Sequence, residues 1–261
     1  MIKYYVGYCQ NKMDKLHKME RTRKKLDPNI QKTTYDRDAK LFKEKSQQLS
    51  TWIYIGGPEI DKFAKSLPKG ETVVWDQGSA SGRVVKRLIE NGVKPENIIG
   101  VEISPDQVAI ARKEIPQATF IVGDLATKHL KDNSIDAATQ HMVCEHLDDA
   151  TLNKVNEFTF DALKPGGRYI VVLTHPSKTA ISSGLSGSGS FTTTFPWGGE
   201  GLNYHRTRED LIKAYKDAGF EIDGVKDLKM PVEAKKTHPD DYQKYQKYPY
   251  IRISLDMHKP E

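Results

Sequence analysis

Val73-Val74-Trp75-Asp76-Gln77-Gly78-Ser79-Ala80-Ser81-Gly82 carries the architecture of this chain in ten residues. Its apolar, β-favouring run reads as a strand over Thr72–Asp76, and the pattern from Ser81 to Asn91 reads as a helix. The small residues between them leave the backbone open to a close ligand, and the helix N-terminus behind offers free N–H groups to negative charge. Glu102, 20 residues after Gly82, ends the next apolar run. In a strand–turn–helix–strand unit this is where a carboxylate accepts hydrogen bonds from ribose hydroxyls.

The flanking sequence repeats the same rhythm. Further strands are predicted at Ile98–Ile103, Ala118–Val122, Ser134–Gln140 and Arg168–Thr174, with helices at Pro105–Ile115 and Ala150–Leu163 between them. Pro165-Gly166-Gly167 is expected to stop the last of these helices. A helix near Arg208–Ala218 ends at Gly219, and Phe220–Val225 and Tyr250–Met257 read as two closing strands paired at the sheet edge. Alternation of this kind predicts an α/β fold: a doubly wound, mostly parallel, seven-stranded sheet with helices on both faces. Residues 10–50 are polar with helical patterning, and Gly57-Pro58 opens a short helix through Lys65. The expected division is a basic, mainly helical extension over 1–69 and a ligand-binding domain over 70–261.

A dinucleotide fingerprint from Gly78 would need glycines where Ala80 and Arg83 stand. Instead, Asp76-x-Gly78-x-Ala80-x-Gly82 resembles the first motif of the Rossmann-like (class I) S-adenosylmethionine-dependent methyltransferases, usually D-x-G-x-G-x-G, with Ala80 replacing the middle glycine. Gly100-Val101-Glu102-Ile103-Ser104 is similar to that family's second-strand ending, and Gly123-Asp124-Leu125 to its third-strand motif. Asp136 through His146 and Leu163-Lys164-Pro165-Gly166-Gly167 resemble its fourth strand and its approach to the fifth. The resemblance covers about residues 70–175 and, more weakly, 200–257. It implies S-adenosylmethionine as cofactor, with S-adenosylhomocysteine as product, held by Asp76, Gly78, Ser79, Ala80, Gly82, Glu102, Ile103, Asp124, Leu125 and Gln140. Within that set Glu102 is expected on the ribose, Ile103 against adenine, and Asp124 with the next N–H at the adenine edge.

Methyl transfer from a sulfonium needs alignment and exclusion of water more than it needs a base. Where a proton must leave, histidine is the side chain suited to take it near neutral pH. His141 and His205 are the candidate bases. Trp197, Tyr204 and His175 are candidates to line the acceptor pocket, because aromatic faces pack on substrates and stabilise cationic groups. The segment Ser177–Tyr204, with its Ser/Gly run and then Phe191, Phe195, Pro196 and Trp197, reads as a lid insertion or as a floppy surface loop.

The chain has 261 residues and a formal charge of +5. Residues 1–45 hold 13 Lys/Arg against 6 Asp/Glu, so the basic excess belongs to the N-terminal arm. Such an arm is either a solvated helix face or a binder of phosphates. Cys9 and Cys144 are the only cysteines, too few for a disulfide framework. No metal site is expected, since no H-E-x-x-H or recurring cysteine pair is present. Nothing in the sequence reads as a membrane span or secretory signal, so a cytoplasmic protein is expected. A small-molecule methyltransferase is the leading reading. Its rivals are an RNA methyltransferase using the basic arm, a catalytically silent cofactor-binding module and, more remotely, a nicotinamide-dependent oxidoreductase.

Overall fold

The computed structural model describes residues 30–261, with side chains from Thr33 onward. Residues 10–29 of the helical stretch expected over 10–50, Cys9 and the cluster Arg21, Arg23, Lys24, Lys25 lie outside the described residues.

Helices α1 (Ile30–Arg37) and α2 (Ala39–Gln48) lead through a single π-helical turn at Trp52–Gly56 into α3 (Gly57–Ser66). Pro58 occupies the first turn of α3, where its missing N–H leaves no helical hydrogen bond unmade. Next come β1 (Val74–Gln77), α4 (Arg83–Glu90), β2 (Ile98–Glu102), α5 (Pro105–Glu114), β3 (Thr119–Val122), β4 (Ile135–His141), α6 (Asp149–Ala162) and β5 (Leu163–Thr174). Three helices start on side-chain caps that sequence chemistry favours: Ser104 accepts from the Gln107 N–H, Asp148 from that of Thr151, and Thr207 from that of Asp210. Thr207 caps α8 (Arg208–Asp217), which follows α7 (Pro176–Ser183) and the hairpin β6 (Gly189–Thr194) with β7 (Glu200–His205). The chain closes with β8 (Glu221–Leu228), the short helices α9 (Ala234–Thr237) and α10 (Pro239–Tyr245), and β9 (Arg252–His258).

The seven-stranded sheet has the order β3-β2-β1-β4-β5-β9-β8, parallel through β5 and antiparallel at its last two pairings. Both faces are covered. Val74, Ile98 and Ile170 pack with Ile60, Phe63 and Leu88 on one side, while Trp75, Tyr169 and Leu255 pack with Leu152, Leu211 and Tyr215 on the other. Each fully buried aliphatic side chain of this kind stabilises the fold by about 1.5–3 kcal/mol relative to exposure. Strand order reverses between β1 and β4, which opens a crevice at the carboxyl ends of these strands.

Several expectations are refined. β5 begins at Leu163, not Arg168: Leu163 pairs with Ile135, and the Gly166 N–H donates to the Lys259 carbonyl at 2.9 Å. Pro165-Gly166-Gly167 therefore ends α6 without breaking the sheet, because the β9 side captures the backbone it frees. The closing pair β8–β9 is adjacent as expected, but residues 229–251 between them carry α9 and α10. The Ser177–Tyr204 segment is not a long irregular loop, since most of it is α7 and the β6–β7 hairpin. Among the described residues no helix is long and apolar enough to cross a membrane.

Candidate active site

The loop from β1 to α4 enters the crevice through three left-handed residues: Gly78 at φ +66°, Ala80 at +45° and Gly82 at +87°. Gly78 is required twice over, since a Cβ there would collide with the Val143 side chain. Ala80 adopts a conformation that costs a non-glycine residue roughly 1–2 kcal/mol. Its methyl is buried against Phe42, Phe195 and Trp197, which offsets about 0.8 kcal/mol of that strain. Ala80→Gly is therefore expected to leave the unfolding free energy within about 1 kcal/mol of the parent, the gain in φ freedom nearly cancelling lost packing. Chemical denaturation checks it, and a larger loss would show that the methyl's packing outweighs the strain.

Glu102, 8% exposed, ends β2 with each carboxylate oxygen accepting one backbone N–H at 3.0 Å, from Ala80 and from Ser104. Burial raises its pKa while those backbone donors act against the rise. Ile103 and the buried Leu125 supply apolar surface beside it, and Asp124 is exposed, with Oδ1 accepting from the Ala126 N–H at 2.9 Å. Ser79 Oγ and Ser81 Oγ are buried without a hydrogen-bond partner among the described residues. A loop of small residues, a carboxylate whose oxygens keep spare lone pairs, an apolar slot and the unused Ser79 hydroxyl together fit a nucleoside carrying a charged tail.

These residues open into one cavity of about 610 Å³, which Gly78, Ser79, Ala80, Glu102, Ile103 and Asp124 line at one end together with Leu125. That size suits a cofactor-type ligand with a small partner. Its roof is aromatic. At the tip of the β6–β7 hairpin Phe195 and Trp197 stack at 4.8 Å, and Trp197 meets Phe42 of α2 edge-on at 4.7 Å. Tyr35 of α1 lies 5.6 Å from Phe195, and Thr34 Oγ1 donates to the Glu200 carbonyl at 3.0 Å, so the N-terminal helices and the hairpin close together over Ala80.

Three of the expected cofactor residues stand off the cavity wall. Asp76 is 1% exposed behind the loop, with Oδ1 accepting from Thr139 Oγ1 at 2.7 Å and Oδ2 unpartnered; burial pushes its pKa up to about 7. Gly82 faces Ile115 and Phe120, so its missing Cβ serves helix-to-sheet packing. Gln140 points to the opposite sheet face from His141, as strand alternation requires, and donates to Gln77 Oε1 at 2.9 Å. Gln77 Oε1 also accepts from the Tyr169 hydroxyl at 2.9 Å, in a polar network beneath the sheet.

Of the expected acceptor-side residues, Trp197, Tyr204 and His141 line the cavity, while His205 and His175 do not. His205 is buried with Nδ1 2.6 Å from Thr179 Oγ1. His175 caps α7, accepting from the Ser177 N–H at 3.0 Å, and meets Asp227 at 3.0 Å through Nε2. His141 has Nδ1 3.1 Å from Arg83 Nη2, and its Nε2 packs against Gly56. Since arginine only donates, the lone pair on His141 Nδ1 is occupied. Burial first, then Arg83 and Arg252, hold this imidazole well below its usual pKa and so uncharged.

Sequence reasoning missed Arg83, Tyr35, Glu145, Lys178, Tyr245 and Arg252, all on the cavity wall. Arg83 lies over Trp52 at 4.6 Å and donates to the Ser46 carbonyl, and burial lowers its pKa to about 10. It directly follows Gly82 in the helix start already singled out, which was the available signal. Cys144, in the turn after β4, is fully buried in the core, its thiol pushed up to about 11 by desolvation.

Residues 74–167 match the family model of a methyltransferase domain. A protein of Mycobacterium tuberculosis named as an uncharacterized methyltransferase is 31% identical over 71 residues, which span 27% of this chain and 28% of that protein's length. Among solved structures, an S-adenosylmethionine-dependent methyltransferase from Mesorhizobium loti superposes with a TM-score of 0.63 at 19% identity, covering 81% of this chain and 98% of the other. A Burkholderia thailandensis 1,6-didemethyltoxoflavin-N1-methyltransferase, solved with 1,6-didemethyltoxoflavin and S-adenosylhomocysteine, gives 0.55 at 13% identity and 80% of each chain. At these identities the structural likeness speaks for the fold.

Proposed function

We propose that this protein, whose residues 74–167 match the family model of a methyltransferase domain and whose fold is shared with S-adenosylmethionine-dependent methyltransferases, transfers the methyl group of S-adenosylmethionine to a small-molecule acceptor, chiefly by proximity and orientation. The observation that carries the reading is the roofed cavity of about 610 Å³, whose one end has the cofactor features and whose roof is the aromatic hairpin. The size of this space suits an acceptor of small-molecule dimensions.

S-adenosylmethionine supplies an electrophilic methyl on a sulfonium centre. Around it, Glu102 would accept from the ribose hydroxyls, Ile103 and Leu125 would flank the adenine, Asp124 would meet its edge, and the Gly78–Gly82 backbone would admit the tail. Phe195, Trp197, Phe42 and Tyr35 exclude water from the reacting end. With His141 occupied by Arg83 and His205 off the wall, alignment carries most of the rate. Glu145 and His146 are wall groups able to accept a proton from a hydroxyl or ammonium acceptor.

Incubation with methyl-labelled S-adenosylmethionine and the small-molecule, RNA and protein fractions of a cell extract is expected to label the small-molecule fraction. Label confined to RNA would replace this acceptor class with the rival one. Trp197→Ala opens the roof, and it is expected to lower turnover at least about tenfold while shifting S-adenosylhomocysteine affinity less than about threefold. Unchanged turnover would remove the lid from the mechanism.

A further inference from the structure

The end of the cavity away from Glu102 and Asp124 is cationic. Arg252, at the start of β9, is 8% exposed and donates to two neutral hydroxyls, Thr174 Oγ1 at 2.9 Å and Thr51 Oγ1 at 3.2 Å. Its Nε is buried with no hydrogen-bond partner, and it makes no ion pair among the described residues. Lys178 of α7 lies over the Tyr248 ring at 5.5 Å, and burial together with the nearby Arg252 lowers its pKa to about 8. Glu145, 2% exposed, is reached only through Thr174, whose hydroxyl donates to Oε1 at 3.0 Å, and its Oε2 has no partner. Tyr245 and Tyr248 add half-buried aromatic faces to the same wall.

A desolvated guanidinium whose hydrogen bonds reach only neutral hydroxyls, with Glu145 acting on it through Thr174, is costly to keep, and a bound anion relieves that cost. Arg252 and Lys178, with Lys244 also on this wall, outnumber the single carboxylate Glu145 beside them, so net positive charge is left for an anion to balance, and the planar arginine fork suits a carboxylate. We infer that the acceptor is a small aromatic carboxylate whose anionic group is held between Arg252 and Lys178, against the faces of Tyr245 and Tyr248. This rests on the methyltransferase reading, in which the other end of the cavity holds the methyl donor.

The test first measures S-adenosylhomocysteine binding by calorimetry; its absence overturns the methyltransferase reading itself and the acceptor site with it. Protein saturated with S-adenosylhomocysteine is then titrated with benzoate, 4-hydroxyphenylacetate and indole-3-acetate, each paired with its primary amide. At least one carboxylate is expected to bind about tenfold or more tightly than its amide. Lys178→Gln and Arg252→Gln are each expected to remove that preference while keeping S-adenosylhomocysteine affinity within about twofold. Should Arg252→Gln fail to fold, Lys178→Gln on the half-exposed helix decides alone. The inference is overturned if no carboxylate is preferred over its amide, or if the preference survives substitution. It is equally overturned if S-adenosylhomocysteine affinity falls in step with the substitutions, which would assign the cations to the cofactor's own carboxylate.

Discussion

Glu102→Ala is expected to weaken S-adenosylhomocysteine binding by about 100-fold or more, since charge-assisted hydrogen bonds contribute about 1.5–3 kcal/mol each and a ribose offers two hydroxyls. The side chain has a second task. Its oxygens accept the N–H groups of Ala80 and Ser104, each at 3.0 Å, and so tie the glycine-rich loop to the end of β2. Truncation leaves both donors without their carboxylate and loosens the loop at its strained residue, which adds to the loss. Glu102→Gln keeps the shape but halves the accepting oxygens, and it should fall between the two. Calorimetry on folded protein reads all three; a change under threefold in the alanine variant would mean that this carboxylate serves the loop and not the ligand.

Asp76→Asn is expected to change how stability depends on pH. In the fold burial dominates over the hydrogen bond from Thr139 and the field of Arg83, and raises the Asp76 pKa from 3.8 to about 7. Between those values the native state keeps a proton that the unfolded chain has released. Unfolding is therefore favoured progressively as pH rises from about 4 to about 7, at roughly 1.4 kcal/mol per pH unit, for a total of up to about 4 kcal/mol. Asparagine has no charge to bury. The variant should match the parent below pH 4, gain on it through the window, and hold the full advantage above pH 8. Denaturation curves at several pH values measure the difference, and parallel profiles would show that Asp76 ionises freely in the fold.

Sheet, helices and the small-residue loop after β1 were legible in the residues because each rests on local chemistry. Strand periodicity at Val73–Asp76, the caps Ser104, Asp148 and Thr207, and the small residues at Gly78–Gly82 act within a few positions of themselves. Glu102 was legible because its place follows from the length of one strand–helix–strand unit. Even Ala80, a departure from the motif, could be picked out from spacing, although its purpose could not: the methyl supports a roof whose other members come from residues 42, 195 and 197.

The acceptor end was illegible for the complementary reason. Arg252 meets Thr51 across 201 residues and Thr174 across 78, so no window of sequence contains the site. His141 looked like a base by position at a strand end, but Arg83 occupies its nitrogen, a fact of side-chain direction that periodicity does not carry. His175 follows its strand as expected and His205 ends the hairpin strand β7, yet the capping of α7 and the contact with Thr179 turn them away from the cavity. Short-range propensity and patterning thus suffice for the elements and for the small-residue loop between β1 and α4. Which side chains share the remaining space is settled by packing between distant segments, where burial and charge are set by neighbours that the linear order does not bring together.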